Sequence, residues 1–339
     1  MLLNRRAWVL VFAITLTGIC CWYLLDFPGL PEEDAASELL VVQASGVRGL
    51  IVEPDDGREP ITSEIEAARE SIDIFIYILT DKVIIESLVA AEARGVDVRV
   101  IMEEHPYGGF GNPEEVVEKL NSAGAETKWS SSEFTFTHAK TMLFDRRVVA
   151  ILNLNLTRSG FDDNREFGVI STWPQDVQLA QALFDADWSG SHTVVNDSLV
   201  VSPDNSRQVI VDLIDDADQS IQMYAEVVRD SEIVDRLRVA EKRGVEVQII
   251  LSPDSDPRWG VIEEHLIESG VEVRISKDLY IHAKAIVVDG TSAYVGSQNF
   301  TMTSLDENRE IGIIVGELAL IDRIESAFQT DFSAATIQS

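Results

Sequence analysis

The sequence predicts an α/β protein in which two copies of one unit follow a single N-terminal transmembrane helix. Three observations support this prediction: an uncharged apolar run near the N-terminus, an internal repeat over the rest of the chain, and an alternation of helix and strand patterns within each copy. The length of 339 residues also suits about two domains of ordinary size.

The composition is that of a folded but very acidic chain. Asp and Glu number 58 against 27 Lys and Arg, a formal net charge of −31, while 45% of the residues are hydrophobic. This negative charge repels nucleic-acid phosphates at long range. Only seven of the basic residues are Lys, and an acidic chain with few lysines is typical of proteins adapted to high salt. Cys20 and Cys21 are the only cysteines, so the sequence offers no disulfide framework and no cysteine metal site.

The apolar run covers residues 7–25. As a helix it would extend about 28 Å, close to the thickness of a bilayer core of about 30 Å. Arg5 and Arg6 precede it and acidic residues follow it, which places the N-terminus in the cytoplasm and the remainder outside. A cleaved signal peptide is the alternative, although the run is long for one and no A-x-A site follows. We therefore predict a single-pass protein of the cell membrane, with residues 1–38 as anchor and spacer.

An internal repeat organises everything after the spacer. Pro54-Asp55-Asp56 recurs as Pro203-Asp204-Asn205, an offset of 149, and residues 138–170 match 282–314 at 12 of 33 positions with the offset reduced to 144. Two copies of one unit follow, which we place at residues 39–190 and 197–335.

Each copy alternates helix and strand patterns. In the first copy, helices are predicted near 61–71, 82–94 and 175–188, and strands near 72–79, 96–102, 126–130, 138–144, 147–152 and 167–172. This alternation predicts a mixed sheet covered by helices in each domain.

Matching polar residues recur in the two copies. Of five histidines, two occupy equivalent places, whereas His105, His192 and His265 have no repeat partner and are predicted to be surface residues. The first set is His138, Lys140, Asp145, Asn153, Asn155 and Glu166. The second set is His282, Lys284, Asp289, Ser297, Asn299 and Glu310.

These residue types at this spacing suit phosphoryl transfer. On a strand, a His and a Lys two residues apart face one pocket, and two lysines with neutral donors form a cradle for an anion such as a phosphodiester. Two imidazoles supply a nucleophile and a proton donor at neutral pH. Each Glu lies 28 residues after its His, and a carboxylate on an imidazole nitrogen would fix its tautomer and orientation.

The pattern resembles that of the phospholipase D superfamily, whose signature H-x-K-x4-D-x6-G-S-x-N occurs twice per active site. The second copy matches it at every fixed position from His282 to Asn299. The first copy departs from it, because Leu152 and Asn153 replace the Gly and Ser. The resemblance covers nearly everything after the predicted anchor.

The resemblance implies two similar α/β domains related by a pseudo-two-fold axis, with one active site between them that uses no metal and no cofactor. One histidine attacks phosphorus to give a phosphohistidine, the other protonates the leaving alcohol, and water or a second alcohol resolves the intermediate. By this resemblance His138 is the nucleophile and His282 the acid.

The remaining signature residues also take roles from the resemblance. The lysines with Asn155 and Asn299 surround the phosphate, and Asn153 and Ser297 are expected to donate to it. Asp145 and Asp289 are interpreted as structural, since a carboxylate would repel the phosphodiester. Leu152 is expected to alter the shape of the pocket in the first half.

The substrate is predicted to be a phospholipid or another phosphodiester, handled by hydrolysis or by phosphatidyl transfer next to the membrane that residues 7–25 would span. No obligate protein partner is evident. In addition, Tyr107, Phe110 and Trp259 lie in loops where acyl chains or bases would be met, and Phe134 and Phe136 are candidates for a wall of the pocket.

Two other functions stay open. One is an exported or membrane-anchored endonuclease, which the low basicity disfavours unless Arg146, Arg147, Arg158 and Arg165 form a local groove. The other is a catalytically silent phosphate-binding protein of the cell envelope.

Overall fold

A computed structural model describes residues 46–252 and 259–337, without the side chains of residues 259–261 and 263. The predicted span at 7–25 and its spacer lie outside these residues, as does the side chain of Trp259. In the part of the chain that is described, no helix is long and apolar enough to cross a bilayer.

The first half forms a mixed sheet with the strand order β1-β7-β6-β5-β2-β3-β4. Strands β2, β3 and β4 are parallel, and the other neighbours are antiparallel. The strands are β1 (Arg48–Glu53), β2 (Ser71–Ile76), β3 (Asp97–Met102), β4 (Glu126–Trp129), β5 (Thr141–Phe144), β6 (Val148–Leu152) and β7 (Asn164–Ser171). The helices are α1 (Glu59–Ala67), α2 (Lys82–Ala93), α3 (Pro113–Ala123), α4 (Arg158–Asp162) and α5 (Pro174–Ser189).

The second half repeats this arrangement in an eight-stranded sheet of order β16-β11-β10-β9-β13-β14-β15-β8. Its strands are β8 (Val200–Ser202), β9 (Ser220–Ala225), β10 (Glu246–Leu251), β11 (Glu272–Ile275), β13 (Lys284–Val288), β14 (Ser292–Gly296), β15 (Glu310–Val315) and β16 (Thr336–Ile337), while β12 (Tyr280–Ile281) pairs elsewhere. The helices are α6 (Ser206–Asp215), α7 (Ser231–Arg243), α8 (Trp259–Glu268), α9 (Met302–Asp306) and α10 (Leu318–Ala334).

Equivalent helices begin at equivalent caps. Asp81 accepts hydrogen bonds from the N–H groups of Val83 and Ile84 at the start of α2. Asp230 accepts from those of Glu232 and Ile233 at the start of α7. A carboxylate at this position satisfies amides that have no partner within the helix. The repeat in sequence therefore becomes a repeat in local structure.

Three apolar clusters form the core of the two halves. One lies under α1–α3 in the first half and one under α6–α8 in the second. The third is shared: Phe167 of β7 packs against Tyr224 of β9 with ring centroids 5.2 Å apart, and Phe184 and Phe328 of the long helices α5 and α10 join the same cluster. Because both sheets contribute to this core, the two domains form a single buried interface.

Each half also lends a strand segment to the other. Strand β12, which leads into His282, pairs in parallel with Asn164 and Arg165 at the start of β7. Likewise Thr137, which precedes His138, bridges Arg309, and the N–H of His138 donates to the carbonyl of Arg309 over 2.9 Å. These exchanged pairings bring each histidine to the opposite domain.

Candidate active site

A cleft between the domains is lined by both motif histidines. His138 and His282 are mostly buried, each 9% exposed, and they share the wall of the cleft with Asn155 and Asn299. The histidine segments precede β5 and β13, beside the carboxyl ends of the parallel strands of each sheet. Ligands commonly bind at this edge of an α/β sheet.

Each histidine is held by a glutamate of the other domain. His138 Nδ1 lies 2.8 Å from Glu310 Oε2, and His282 Nδ1 lies 2.7 Å from Glu166 Oε1. A carboxylate accepts, so Nδ1 carries the hydrogen and Nε2 is the nitrogen left for a ligand in the cleft. The sequence predicts a carboxylate for each histidine, but the pairing is crossed and neither glutamate serves the histidine of its own copy.

The Asn-Arg-Glu segments that supply these glutamates tie the domains together. Asn164 and Asn308 donate to Glu166 and Glu310 respectively, which orients the carboxylates. The arginine between them reaches the other domain, Arg165 to Asp331 of α10 over 2.7 Å and Arg309 to Asp187 of α5 over 2.8 Å. All three residues of the segment thus serve the interface or the site.

Both motif lysines are fully buried beneath the histidines. Lys140 Nζ donates to the carbonyl of His138 over 2.6 Å, and Lys284 Nζ donates to that of His282. Burial lowers the pKa of Lys140 to about 7, and the charge of Lys284 acts in the same direction.

Burial likewise lowers the pKa of His138 below its usual value, with the charge of Lys140 adding to the effect although Glu310 opposes it. The ring of His138 is therefore poised to be neutral, with a lone pair on Nε2.

Asn153 and Ser297 occupy equivalent positions directly after β6 and β14. Both are fully buried and neither lines the cleft. Asn153 Oδ1 accepts from the N–H of Phe167, and Ser297 Oγ accepts from the N–H of Ile311. These contacts hold strands β7 and β15 through the side-chain oxygens, while Asn153 Nδ2 has no hydrogen-bond partner among the described residues.

Leu152, which is expected to alter the shape of the pocket, has its side chain in the core. It is fully buried and faces Gly168 of β7, where an added Cβ would come within 2.5 Å of Leu152 Cδ2. In the second half, Gly296 leaves room for the buried ring of Tyr294, whose hydroxyl donates to Gln298. Leu152 and Gly296 thus occupy equivalent positions in the repeat, but the core around them is packed by different side chains.

Asp145 and Asp289 lie at the far ends of β5 and β13 from the lysines. Asp145 accepts from the N–H groups of residues 69–71, and Asp289 from those of residues 218–220. Each takes a positive φ, 51° and 53°, at a tight turn. Their contacts fit the structural interpretation.

Two residues that sequence reasoning missed lie beside the histidines. Tyr77 and Glu226 follow the equivalent strands β2 and β9 at the repeat offset of 149, but they are chemically unlike. The Tyr77 ring packs against His138 with centroids 4.5 Å apart, while Glu226 Oε2 lies 2.7 Å from Lys284 Nζ and 3.5 Å from His282 Nε2. Their equivalence in the repeat was the signal that could have found them.

Aromatic side chains surround the mouth of the cleft. Tyr107 and Phe110 are 81% and 67% exposed, and Tyr280 is also exposed. Phe136 lines the cleft and contacts Tyr77, as predicted for a wall residue, whereas Phe134 packs beneath the guanidinium of Arg309.

The four arginines near the first motif do not form a groove. Arg165 is buried in its ion pair, and Arg146 and Arg147 lie at the turn beyond Asp145, at the opposite end of β5 from the site. Arg158 alone of these four lines the cleft, where Asp162 and Asp163 lie within ion-pair distance of it.

Comparison with known families identifies the two halves. The family model described as "Cardiolipin synthase, PLD-like domain" matches residues 61–188 and again 210–332, well over half of the chain. The chain belongs to the phospholipase D superfamily. As a phospholipase D superfamily member with one family domain in each half, it is an enzyme of phosphodiester chemistry, as the sequence predicts.

Individual relatives agree with this assignment. A cardiolipin synthase of Oceanobacillus iheyensis is 23% identical over 343 residues, which cover 88% of this chain and 71% of that protein. Two solved structures share the fold. The phosphatidylserine synthase of Haemophilus influenzae has a TM-score of 0.67 at 14% identity, covering 86% of this chain and 87% of the other. The polyphosphate kinase of Porphyromonas gingivalis has a TM-score of 0.68 at 17% identity, covering 84% of this chain and 50% of the other.

Proposed function

We propose that this protein is a metal-independent phosphatidyltransferase that exchanges the head-group alcohol of a phospholipid through a phosphohistidine intermediate. The observation that carries the proposal is the pair of cleft histidines, each with Nδ1 on a buried carboxylate and Nε2 available to a ligand. Hydrolysis is the same chemistry with water as the acceptor.

The first half-reaction begins with the neutral ring of His138. His138 Nε2 attacks phosphorus, the P–O bond to the head group breaks, and His282 gives its Nε2 proton to the departing oxygen. Glu310 accepts the N–H of His138 Nδ1 and stabilises the positive ring that forms. Lys140 and Lys284, with the amides of Asn155 and Asn299, surround the non-bridging oxygens.

The second half-reaction reverses these roles. An incoming alcohol gives its proton to His282 Nε2 as its oxygen attacks phosphorus, and the P–N bond to His138 breaks with its electron pair returning to the imidazole. The product is a new phosphodiester, and both rings regain their starting protonation states.

A lipid substrate is favoured by the surroundings of the cleft. Exposed Tyr107 and Phe110 beside its mouth suit contact with lipid, since amphipathic and aromatic side chains favour membrane interfaces. The absence of a basic groove from the four arginines, with a net charge of −31, disfavours a nucleic acid. The cardiolipin synthase names of the family model and of the relative point to the same substrate class.

The predicted span at residues 7–25 completes the proposal. It would hold the enzyme in the cell membrane with the N-terminus in the cytoplasm and the cleft outside, next to its substrate.

The test uses the full-length chain in phospholipid vesicles with EDTA, at low and at molar salt, with plasmid DNA offered in parallel. Release or exchange of the lipid head group should persist in EDTA and disappear in His138→Ala and His282→Ala. His105→Ala changes an exposed histidine with no site contact and should retain activity. Plasmid nicking without lipid turnover would identify an endonuclease, and inactivity on both substrates at every salt concentration would favour a binding protein.

A further inference from the structure

The pseudo-two-fold symmetry of the cleft is broken at Tyr77 and Glu226. On the His138 side, the phenol ring makes an edge-to-face contact with the imidazole, and Lys140 Nζ lies 5.0 Å from the centre of the phenol ring. On the His282 side, the equivalent position carries a carboxylate paired with Lys284. One side is therefore aromatic and the other presents an acceptor for hydrogen bonds.

The chemistry gives these two sides different occupants. In an in-line displacement the attacking and leaving atoms lie on opposite sides of phosphorus. With His138 as the nucleophile, the oxygen of the alcohol that leaves or enters lies at His282 Nε2. Glu226 Oε2 is 3.5 Å from that nitrogen and lines the cleft, so the carboxylate lies beside the exchanged alcohol.

Glu226 can only accept hydrogen bonds in this position. Burial alone would raise its pKa, but the positive charges of His282 and Lys284 hold the pKa of this carboxyl well below its usual range. An ionised carboxylate has acceptor sites and no donor. Its second oxygen, Oε1, lies 3.4 Å from the hydroxyl of Tyr280 at the rim, so the acceptor extends from the histidine toward the opening.

We propose that Glu226 is a specificity-determining residue that contacts the exchanged alcohol and selects alcohols with a second hydroxyl group. This inference rests on the proposed function and on His138 as the nucleophile. A polyol can place one oxygen at His282 Nε2 and donate its next hydroxyl to Glu226. An ammonium alcohol gains less, because Lys284 already neutralises this carboxylate and Lys140 is close enough to interact with it electrostatically.

In the transfer step, the first hydroxyl of the polyol loses its proton to His282 Nε2 while its oxygen bonds to phosphorus. The P–N bond to His138 breaks, and the second hydroxyl keeps its proton and forms a hydrogen bond to Glu226. No covalent bond to Glu226 forms or breaks, so Glu226 acts by binding one incoming alcohol more tightly than another.

The experiment is an acceptor competition with the full-length chain in phospholipid vesicles. Equal concentrations of glycerol, 1-propanol and ethanolamine compete, and the three transfer products are measured as ratios. The wild type should favour glycerol, and Glu226→Gln should lower the ratio of glycerol to 1-propanol product by about tenfold, because a neutral amide oxygen replaces a charged acceptor. Glu114→Gln removes an exposed carboxylate and should leave the ratio unchanged.

The outcomes separate this inference from the proposed function. A product ratio is insensitive to the fraction of correctly folded enzyme, so a partly unfolded variant still reports. If the wild type transfers lipid but Glu226→Gln keeps the wild-type ratio, or ethanolamine outcompetes glycerol, the role of Glu226 is wrong and the transferase stands. If the wild type transfers to none of the three alcohols, the proposed function itself fails.

Discussion

Glu166 of the first domain lies 2.7 Å from Nδ1 of His282 in the second, and Glu310 holds His138 in the reciprocal manner. Neither domain therefore contains a complete histidine and carboxylate pair of its own. The exchanged backbone pairings at β12 and Thr137 are what carry each histidine across the interface. Assembly of the site is thus coupled to docking of the domains.

The two glutamates should affect different steps. Glu310→Gln removes the charge that stabilises the His138 ring while it bears phosphorus, so formation of the phosphoenzyme should slow by about a hundredfold or more. Glu166→Gln acts on the acid, so it should leave phosphoenzyme formation from a p-nitrophenyl phosphodiester near the wild-type rate, because that leaving group needs no proton.

Rapid-quench measurement of the covalent intermediate distinguishes the two variants. Glu118→Gln, an exposed carboxylate on α3, is the matched control. Equal slowing of phosphoenzyme formation in both variants would contradict the assignment of His138 as nucleophile.

The pH profile should be bell-shaped and shifted toward acid. The pKa of His138 is lowered, so its neutral, nucleophilic form persists below pH 6.5 and the rising limb should lie below that value. The pKa of Lys140 is lowered to about 7, so its charge is lost as the pH rises through 7 and binding of the phosphodiester should weaken.

The two limbs have different kinetic signatures. Above pH 7 the KM should rise more than kcat falls, and Lys140→Met should abolish the pH dependence of KM while raising its value. If the rising limb of the profile lies at or above pH 6.5 and the KM does not change up to pH 9, the lowered pKa values of His138 and Lys140 are both contradicted.

Much of the fold follows from the sequence because its signals are local. The repeat and the apolar periodicity predict α2 and β3 to within a residue or two, and the cap at Asp81 explains why the helix begins there. Strand β1 and helices α3 and α4 were not predicted. Helix α3 is mostly polar and buries only Val116 and Leu120, and α4 is a single short turn.

The sequence predicts which residues form the site but not which glutamate pairs with which histidine. The spacing of 28 residues identifies each glutamate, yet the partner of each histidine depends on contacts between residues more than 100 positions apart. Asn153 and Ser297 illustrate the same limit. Their chemistry suits a phosphate, and only the tertiary structure reveals that their side-chain oxygens also accept hydrogen bonds from strand amides.

The packing of Leu152 against Gly168 predicts a compensating pair of substitutions. Gly168→Ala should destabilise the protein, because the new methyl group would come within 2.5 Å of Leu152 Cδ2. Leu152→Ala should cost about 2–5 kcal/mol through lost burial and a cavity. In the Leu152→Ala background, however, Gly168→Ala should be close to neutral, because the clashing atom is gone.

A double-mutant cycle of chemical unfolding measures this coupling. The same series tests the earlier expectation about the pocket. Leu152→Gly, which restores the family residue, should lower stability without changing the KM for lipid, and an altered KM would place Leu152 back at the substrate.

The ion pair between Arg165 and Asp331 should be one of the strongest polar links between the domains. Both side chains are largely buried, and the hydroxyl of Tyr224 also donates to Asp331 over 2.7 Å. Asp331→Ala leaves the Arg165 charge short of its buried partner and Tyr224 without an acceptor, so we expect a loss of about 3–5 kcal/mol in the free energy of unfolding.

Chemical unfolding of the full chain in detergent measures this loss against Asp235→Ala, whose pair with Arg238 is exposed and should change stability by less than about 1 kcal/mol. Joint replacement with apolar residues, Arg165→Met with Asp331→Leu, should recover part of the stability, because no unpaired charge then stays buried.

Since Glu166 follows Arg165 directly, Asp331→Ala should also loosen the carboxylate on His282 and lower turnover under conditions where the protein is still folded. Full activity in a folded Asp331→Ala variant would mean that the domain interface and the site are energetically independent.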